Sequence, residues 1–180
     1  MLSLDLERVV LPLLFPDWVA DVSSESYLAS LPEEPPPYLI LLIRAGAAAM
    51  GYFVYGEPAL HKTITTYMVR KQQGKSQLKH LHQKGKSRLG SRIRLRNTIS
   101  FFENINTKLN DWEEIDETDK IFYSSSINHW YLLHHARVPC PFAAQDTRLC
   151  PVPLDIDTPN FEELCRVNDF LSQTQIFYEH

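Results

Sequence analysis

The tetrapeptide Gly74-Lys75-Ser76-Gln77 combines residue types that could hold a water molecule for hydrolysis. A glycine permits backbone conformations that other residues avoid, and a glutamine amide donates and accepts hydrogen bonds at the same time. At the tip of a loop, such an amide could hold water beside a scissile ester while neighbouring backbone N–H groups receive the developing oxyanion. The same four residues also fit an exposed turn without chemistry, so their surroundings must distinguish the two interpretations.

The tetrapeptide lies in a basic window, residues 69–96, which holds ten Lys or Arg, two His and no acidic residue. The whole chain has 18 basic and 22 acidic residues, so the remainder carries 8 basic residues against 22 acidic ones. Clustered Lys and Arg neutralise phosphates and give affinity for nucleic acid. We therefore predict RNA contacts by a set of basic side chains in this window: Lys71, Lys79, Lys84, Lys86, Arg88, Arg92 and Arg96.

Composition restricts the class of protein further. A chain of 180 residues with 44% hydrophobic residues is typical of one globular domain. No run approaches the roughly 20 apolar residues of a membrane span, and Asp5 and Glu7 stand where a secretory signal would be positively charged. We expect a cytoplasmic protein without a membrane partner. The cysteines lack CxxC spacing, which predicts free thiols rather than disulfides or a zinc site: Cys140, Cys150 and Cys165.

Three strands are predicted before the window. Two apolar runs, 38–46 and 47–56, predict a β-hairpin, and the run 59–71, rich in β-branched residues, predicts a third strand. Residues 72–88 have no apolar period and are predicted to form a long, exposed, mobile loop. A loop of this length without structure of its own is typical of a functional segment.

A helix is predicted after the loop, over 89–110. Its apolar stripe, at helical spacing, consists of Leu95, Ile99, Phe102, Ile105 and Leu109. A basic stripe at i, i+4 spacing lies on another face and consists of Arg88, Arg92 and Arg96. The loop and this helix together contain every basic residue of the window beyond the third strand.

Strands and helices alternate after an acidic loop at 111–119, which predicts an α/β fold. We predict a single domain over 38–180, with a central mixed β-sheet flanked by helices and the long basic loop between the third strand and the first main helix. The last helix is predicted to begin at an N-cap, Thr158, and a last strand to follow it. Residues 1–37 are predicted to be a leader and proline linker, with a helix suggested by the spacing of Leu2, Leu6, Val9, Val10 and Leu13.

The run from Leu60 to Gln77 resembles the strand and loop that carry the catalytic glutamine in the central domain of eukaryotic and archaeal peptide-chain release factors. It is more similar still to the release-factor-like domain of the Vms/ANKZF-type ribosome quality-control proteins. The pattern VRxxQGxxQ is matched by Val69, Arg70, Gln73, Gly74 and Gln77. The resemblance implies that Gln77 is catalytic and positions the water. It also implies supporting roles for Arg70, Gln73, Gly74, Lys75 and Ser76, with Gly74 as the hinge.

The resemblance further implies a function on the ribosome. The loop would enter the peptidyl-transferase centre of the large subunit, contact rRNA and peptidyl-tRNA, and release nascent chains from stalled ribosomes without a metal or organic cofactor. The protein would be a monomer off the ribosome. Ordinary release factors have two glycines where this chain has Lys75 and Ser76, which favours the quality-control branch over stop-codon termination. That branch adds an alternative, cleavage of the tRNA near its 3′ end.

Two other classes of function stay open at this point. An RNA-binding module without catalysis explains the basic charge but leaves the Gly-Lys-Ser-Gln tetrapeptide without a role. A nuclease would use histidines as general acid and base, and the candidates are His80, His82, His129, His134 and His135. The spacing of the last three differs from the i, i+4 pair that a helical metal site prefers, so no metal site is predicted.

Overall fold

The centre of the fold is a five-stranded mixed β-sheet. The structure is a computed structural model, and it describes residues 6–10, 14, 26, 29–66, 86–173 and 175–178; side chains are described at 14, 26, 29–66 and 92–173. The strands are β1 (Leu6–Val10), β2 (Tyr38–Arg44), β3 (Ala47–Val54), β4 (Glu57–Thr65), β5 (Lys120–Ser124), β6 (Leu149–Pro151) and β7 (Gln175–Tyr178). The sheet order is β4-β3-β2-β5-β6, and β1 pairs with β7 in a separate two-stranded sheet.

The strand directions confirm the predicted mixed sheet. β2, β3 and β4 pair antiparallel as a meander, whereas β5 pairs parallel with both β2 and β6. Consequently β2, β4, β5 and β6 all end at the same edge of the sheet, which we call the loop edge. The predicted hairpin is confirmed. The third strand, predicted over 59–71, is confirmed up to Thr65, and the chain leaves the sheet at the loop edge with Thr66.

Helices cover both faces of the sheet. They are α1 (Lys86–Asn110), α2 (Ile127–His134) and α3 (Phe161–Ser172), with a 3₁₀ helix at Glu113–Glu117. Leu39, Leu41 and Ile43 of β2 pack beneath α1 and α2, whereas Ile40 and Leu42 pack beneath α3. Because β2 is buried on both faces, it reads as a continuous apolar run rather than an alternating one. The result is a three-layer α/β sandwich.

Two predicted elements differ from the structure. Leu6–Val10 is a β-strand rather than part of a helix, since it pairs antiparallel with Gln175–Tyr178 from the other end of the chain. Helix α3 is capped by Asn160, whose side chain accepts a hydrogen bond of 2.7 Å from the backbone N–H of Glu163. The predicted cap, Thr158, therefore lies two residues too early. Asn and Thr both cap well, so composition alone could not choose between them.

Candidate nucleic-acid interface

Helix α1 belongs to the core over half of its length. Its second half buries Phe101, Phe102, Ile105 and Leu109 against the sheet, whereas no residue from Arg92 to Ser100 is buried. The core stripe predicted for this helix is therefore correct at its last three positions and wrong at Leu95 and Ile99, which are 63% and 51% exposed. The helical period shows which side of a helix faces inward, but burial of that side begins only at Phe101.

The first half of α1 extends past the start of α2. α1 and α2 run side by side in the same direction, because the ring of Phe102 lies 6.0 Å from that of His129 and Asn106 hydrogen-bonds the carbonyl of Leu133. Both contacts have an offset of 27 residues, so the first residue of α2, Ile127, is level with Ser100. At 1.5 Å per residue, residues 86–100 extend about 20 Å past the start of α2. We call this segment the arm.

The arm carries positive charge without a compensating acid. Residues 86–100 contain five Lys or Arg, and the first acidic residue of α1 is Glu103. The predicted RNA-binding residues Arg92 and Arg96 are both exposed on the arm. Lys86 and Arg88 lie in its first turn, where the backbone alone is described. The helix thus begins three residues earlier than predicted, inside the segment assigned to the loop.

Residues 67–85 join the C-terminal end of β4 to the start of the arm. The β4 end is fixed by its pairing with β3 and by a hydrogen bond of 2.8 Å from the N–H of Thr66 to the carbonyl of Gly46. The predicted catalytic and supporting residues lie outside the described residues, as do the first three predicted RNA contacts: Arg70, Gln73, Gly74, Lys75, Ser76 and Gln77, and Lys71, Lys79 and Lys84. The predicted mobility of the loop is also outside the described part of the chain.

One amide fixes α1 against α2. The side-chain nitrogen of Asn106 donates hydrogen bonds of 2.8 Å to the carbonyl oxygens of both Leu133 and Val138. Asn106 is fully buried, and these carbonyls belong to the C-terminal end of α2 and the chain after it. This clamp lies at the far end of α1 from the arm, so it holds the half of the helix from which the arm extends.

His129 and His134 of α2 are half-buried against aromatic rings, whereas His135, just after the helix, is exposed. The ring of His134 lies 4.7 Å from Trp130, and the ring of His135 stacks at 3.8 Å on Tyr131. Burial lowers the pKa of both His129 and His134, and the charges of Arg44 and His135, respectively, lower it further. One ring nitrogen of each, Nδ1 of His129 and Nε2 of His134, is buried, so a substrate could not reach that nitrogen. The remaining nuclease candidates, His80 and His82, lie outside the described residues.

Sequence reasoning assigned no role to two arm residues, Ile93 and Arg94, and placed a third, Leu95, in the core stripe. Ile93 and Leu95 are exposed, at 48% and 63%. A signal was present in the run Arg-Ile-Arg-Leu-Arg at 92–96, because alternating residues of a helix point in widely separated directions and cannot share one buried stripe. The cysteines, as predicted, are free thiols. Burial raises the pKa of Cys140 to about 11, which keeps this thiol protonated.

The described residues also limit two other kinds of site. Among them, no three His, Cys, Asp or Glu side chains form a group that could hold a metal ion. In the same residues, no helix is both long and apolar enough to cross a membrane.

Known proteins resemble this chain in sequence and in fold. A mouse protein described as tRNA endonuclease ANKZF1 is 26% identical to it over 171 residues. That match covers 92% of this chain but 23% of the mouse protein, so the chain spans about a quarter of its relative. A solved structure described as the Vms1 mitochondrial localization core superposes with a TM-score of 0.56 at 17% identity. It covers 92% of this chain and 69% of that one.

The solved structure shows the fold, and the family assignment rests on a family model. The Vms1 core confirms a release-factor-like α/β fold for this chain. The model of the Bacteroidetes VLRF1 release factor family matches residues 38–179, which is most of the chain. Together with the mouse relative, this confirms the resemblance to the Vms/ANKZF-type release-factor-like domain. The chain belongs to the Bacteroidetes VLRF1 release factor family.

Proposed function

We propose that this protein releases nascent chains from peptidyl-tRNA on stalled ribosomes or separated large subunits. The observation that carries the proposal is the matched release factor family together with the position of residues 67–85, which connect the loop edge to the basic arm. A release factor of this kind must reach an ester buried in RNA. A narrow basic projection about 20 Å long suits that task better than a flat surface does.

In the proposed reaction, Gln77 positions a water molecule beside the ester that joins the peptide to the tRNA. The water oxygen attacks the ester carbonyl carbon, the bond to the tRNA ribose oxygen breaks, and that oxygen takes up a proton derived from the water. Gln77 contributes by orientation, because an amide is a poor acid or base. Orientation alone is a large effect when the reacting atoms are held in contact. Arg70, Gln73, Gly74, Lys75 and Ser76 would shape the loop around it.

A second candidate function is cleavage of the tRNA itself. It is favoured by one observation, the description of the mouse relative as a tRNA endonuclease. The two reactions leave different products. Ester hydrolysis gives a free peptide and an intact tRNA, whereas cleavage of a phosphodiester bond leaves the peptide attached to a short tRNA fragment. The buried ring nitrogens of His129 and His134 are unsuited to general acid–base catalysis of the second reaction.

The test uses stalled ribosome–nascent-chain complexes, intact and split, with a readout that resolves the 3′ end of the tRNA. Wild type is compared with Gln77→Ala and with Gln83→Ala, which makes the same chemical change elsewhere in the basic window. We expect peptide release with intact tRNA, lost in Gln77→Ala and retained in Gln83→Ala. Peptide carrying a tRNA fragment would replace the proposal by the endonuclease. Equal release by the two variants would remove Gln77 from the reaction.

A non-catalytic RNA-binding module predicts a third result. The protein would bind the complexes without releasing any peptide, and Gln77→Ala would bind as wild type does. Binding is therefore measured beside release in each experiment, because retained binding without release distinguishes this outcome from a protein that does not reach the ribosome.

A further inference from the structure

Two aliphatic side chains on the arm are exposed although they continue the buried stripe of α1. Leu95 and Ile99 precede Phe102 by seven and three residues, so they lie on the side of the helix that faces the sheet further along. Phe102 is 1% exposed, whereas Ile99 and Leu95 are 51% and 63% exposed. Neither of these two side chains is buried against a described strand. An apolar stripe that runs past the core in this way is typical of a binding surface.

The same side of the arm carries two exposed arginines. Arg92, Leu95, Arg96 and Ile99 have the spacing i, i+3, i+4 and i+7, which places them on one face of the helix. The basic stripe that was predicted for another face therefore adjoins the apolar stripe. We call these four residues the arm face. Arg92 and Arg96 could each reach a phosphate, but Leu95 and Ile99 gain nothing from phosphate contact. A ligand that fits the whole face must therefore present anionic and apolar surface side by side.

Unpaired RNA presents both kinds of surface. Its phosphates are anionic, and its splayed ribose and base faces are apolar, whereas the bases of a continuous A-form duplex are stacked and enclosed. The absence of any acidic residue before Glu103 makes the arm uniformly positive, which matches a phosphate chain along its whole length. A protein ligand would have to bring an apolar surface surrounded by several carboxylates.

We propose that the arm face binds an unpaired segment of large-subunit rRNA, with Leu95 and Ile99 packed on ribose and base surfaces between phosphates held by Arg92 and Arg96. The inference rests on the proposed function for the location of the protein, and it adds an apolar contact that charge does not supply. Ribosomal RNA is favoured over the tRNA because the arm begins nine residues after Gln77 along the chain, so the two need not contact the same RNA. In the proposed reaction Gln77 contacts the tRNA ester, which leaves the arm face to contact ribosomal RNA.

The test measures binding to purified large ribosomal subunits, with and without peptidyl-tRNA, across a range of salt concentrations. Ile99→Ser is compared with Ile93→Ser, an identical change at a residue of similar exposure, 51% against 48%, that lies outside the arm face. We expect Ile99→Ser to weaken binding about fivefold, because roughly half an aliphatic side chain would lose its buried contact. The loss should be equal with and without tRNA, and the salt dependence should be unchanged. Ile93→Ser should bind as wild type does.

Several outcomes would overturn the inference. Equal losses of binding affinity in Ile99→Ser and Ile93→Ser would mean that the contact is not specific to the arm face. Binding by Ile99→Ser equal to that of wild type would leave the aliphatic pair without an RNA role. A loss confined to subunits carrying tRNA would transfer the contact to the tRNA. Concentration-dependent self-association of wild type that Ile99→Ser abolishes would identify the occupant as a second copy of the chain.

The measurements separate this inference from the proposed function. Peptide release is recorded in the same samples. Release by wild type together with normal release and binding by Ile99→Ser would overturn the arm-face contact and leave the proposed function standing. Binding that depends on Ile99, without peptide release by wild type, would support the arm-face contact and contradict the proposed hydrolysis. Leu95→Ser provides a second variant of the face, and the melting temperature of each variant reports whether it is folded.

Discussion

At the scale of single residues, the described part of the chain is held together by polar side chains that serve several carbonyls at once. Asn106 is the most buried of these, and its two hydrogen bonds to Leu133 and Val138 join α1 to the end of α2. A buried carbonyl that loses its donor cannot turn to water instead. The energetic consequence is therefore larger than that of an equivalent contact at the surface.

The chain offers a matched pair for this effect. Asn106→Ala should lower the free energy of unfolding by about 2–4 kcal/mol, since two hydrogen bonds are lost and the Leu133 carbonyl is left buried. Asn110 also donates two hydrogen bonds, to Asn106 and Pro139, but its side chain is exposed. Asn110→Ala should therefore cost about 1 kcal/mol or less, because water replaces the lost partner. Urea unfolding of both variants measures the difference, and equal costs would contradict the clamp.

A second residue-scale contact depends on pH. Arg148 donates to Asp146 at 3.0 and 2.9 Å, and also donates to the carbonyl of Ile115 at 3.0 Å. The hydrogen bonds from Arg148 hold the pKa of Asp146 below its usual range. A carboxyl whose pKa is depressed on folding stabilises the protein above its unfolded pKa, and this contribution is lost as pH falls through the folded pKa.

Asp146→Asn should therefore lower stability at pH 7 and make little difference at strongly acidic pH, where the wild-type carboxyl is protonated too. The two unfolding curves should converge as pH falls from about 5 towards 2. The control is Asp155→Asn, a fully exposed carboxyl 4.0 Å from Arg44, which should follow wild type at each pH. A difference between wild type and Asp146→Asn that stays constant with pH would rule out the charge as its cause.

At the scale of elements, the sequence predicted strands that pair with a neighbour in the chain better than strands that pair with a distant segment. The hairpin of β2 and β3 was predictable because both strands are apolar runs and the connecting turn contains Gly46, whose φ of 81° favours glycine. β1 was misread because five apolar residues have helical spacing, whereas its strand conformation depends on β7, at the other end of the chain. No local pattern encodes a partner at that distance.

The candidate site was predictable to a different degree. The basic window and the position of the helix after it came from composition and period. Arg92 and Arg96 are exposed, and their contact with RNA stays a prediction. The end of the core at Phe101 could not be predicted in this way. The helical period specifies a direction around the helix axis and carries no information on where burial stops. The assignment of Gln77 came from the resemblance and stays a prediction.

The boundary between the arm and the core can be located by making the same Ile→Ala substitution at two positions of α1. Ile105 is fully buried and Ile99 is 51% exposed, two positions six residues apart on α1. Ile105→Ala should lower the free energy of unfolding by about 2–5 kcal/mol through the lost contacts and the cavity. Ile99→Ala should change it by less than about 0.5 kcal/mol, since exposed positions rarely cost more. Similar costs at both positions would show that the core extends into the arm.

At the scale of the whole molecule, α1 separates the two signs of charge. The basic window leads into its first half, and its C-terminal end is followed by residues 111–119, which contain six acidic residues and no basic one. A helix of 25 residues is about 37 Å long. This is several times the screening length of roughly 8 Å at physiological salt, so the two ends do not neutralise each other. A polyanion should therefore attract one end and repel the other.

This polarity makes a prediction about which arginines bind. Arg96 is exposed on the arm, whereas Arg137 is exposed after the C-terminal end of α2, on the side of the sheet away from the loop edge. Each phosphate contact contributes about 0.7–0.9 to the slope of log affinity against log salt concentration. Arg96→Gln should therefore weaken binding to large subunits and reduce that slope by roughly this amount. Arg137→Gln removes the same charge and should change neither quantity.

The slope separates a local contact from a general effect of net charge. Both variants change the net charge of the chain equally, so equal slopes for the two would mean that RNA responds to overall charge and that the arm has no privileged role. A reduced slope in Arg96→Gln alone would place a phosphate at the arm. Because Ile99→Ser is expected to leave the slope unchanged while weakening binding, the two substitutions together would resolve the ionic and the apolar parts of one contact surface.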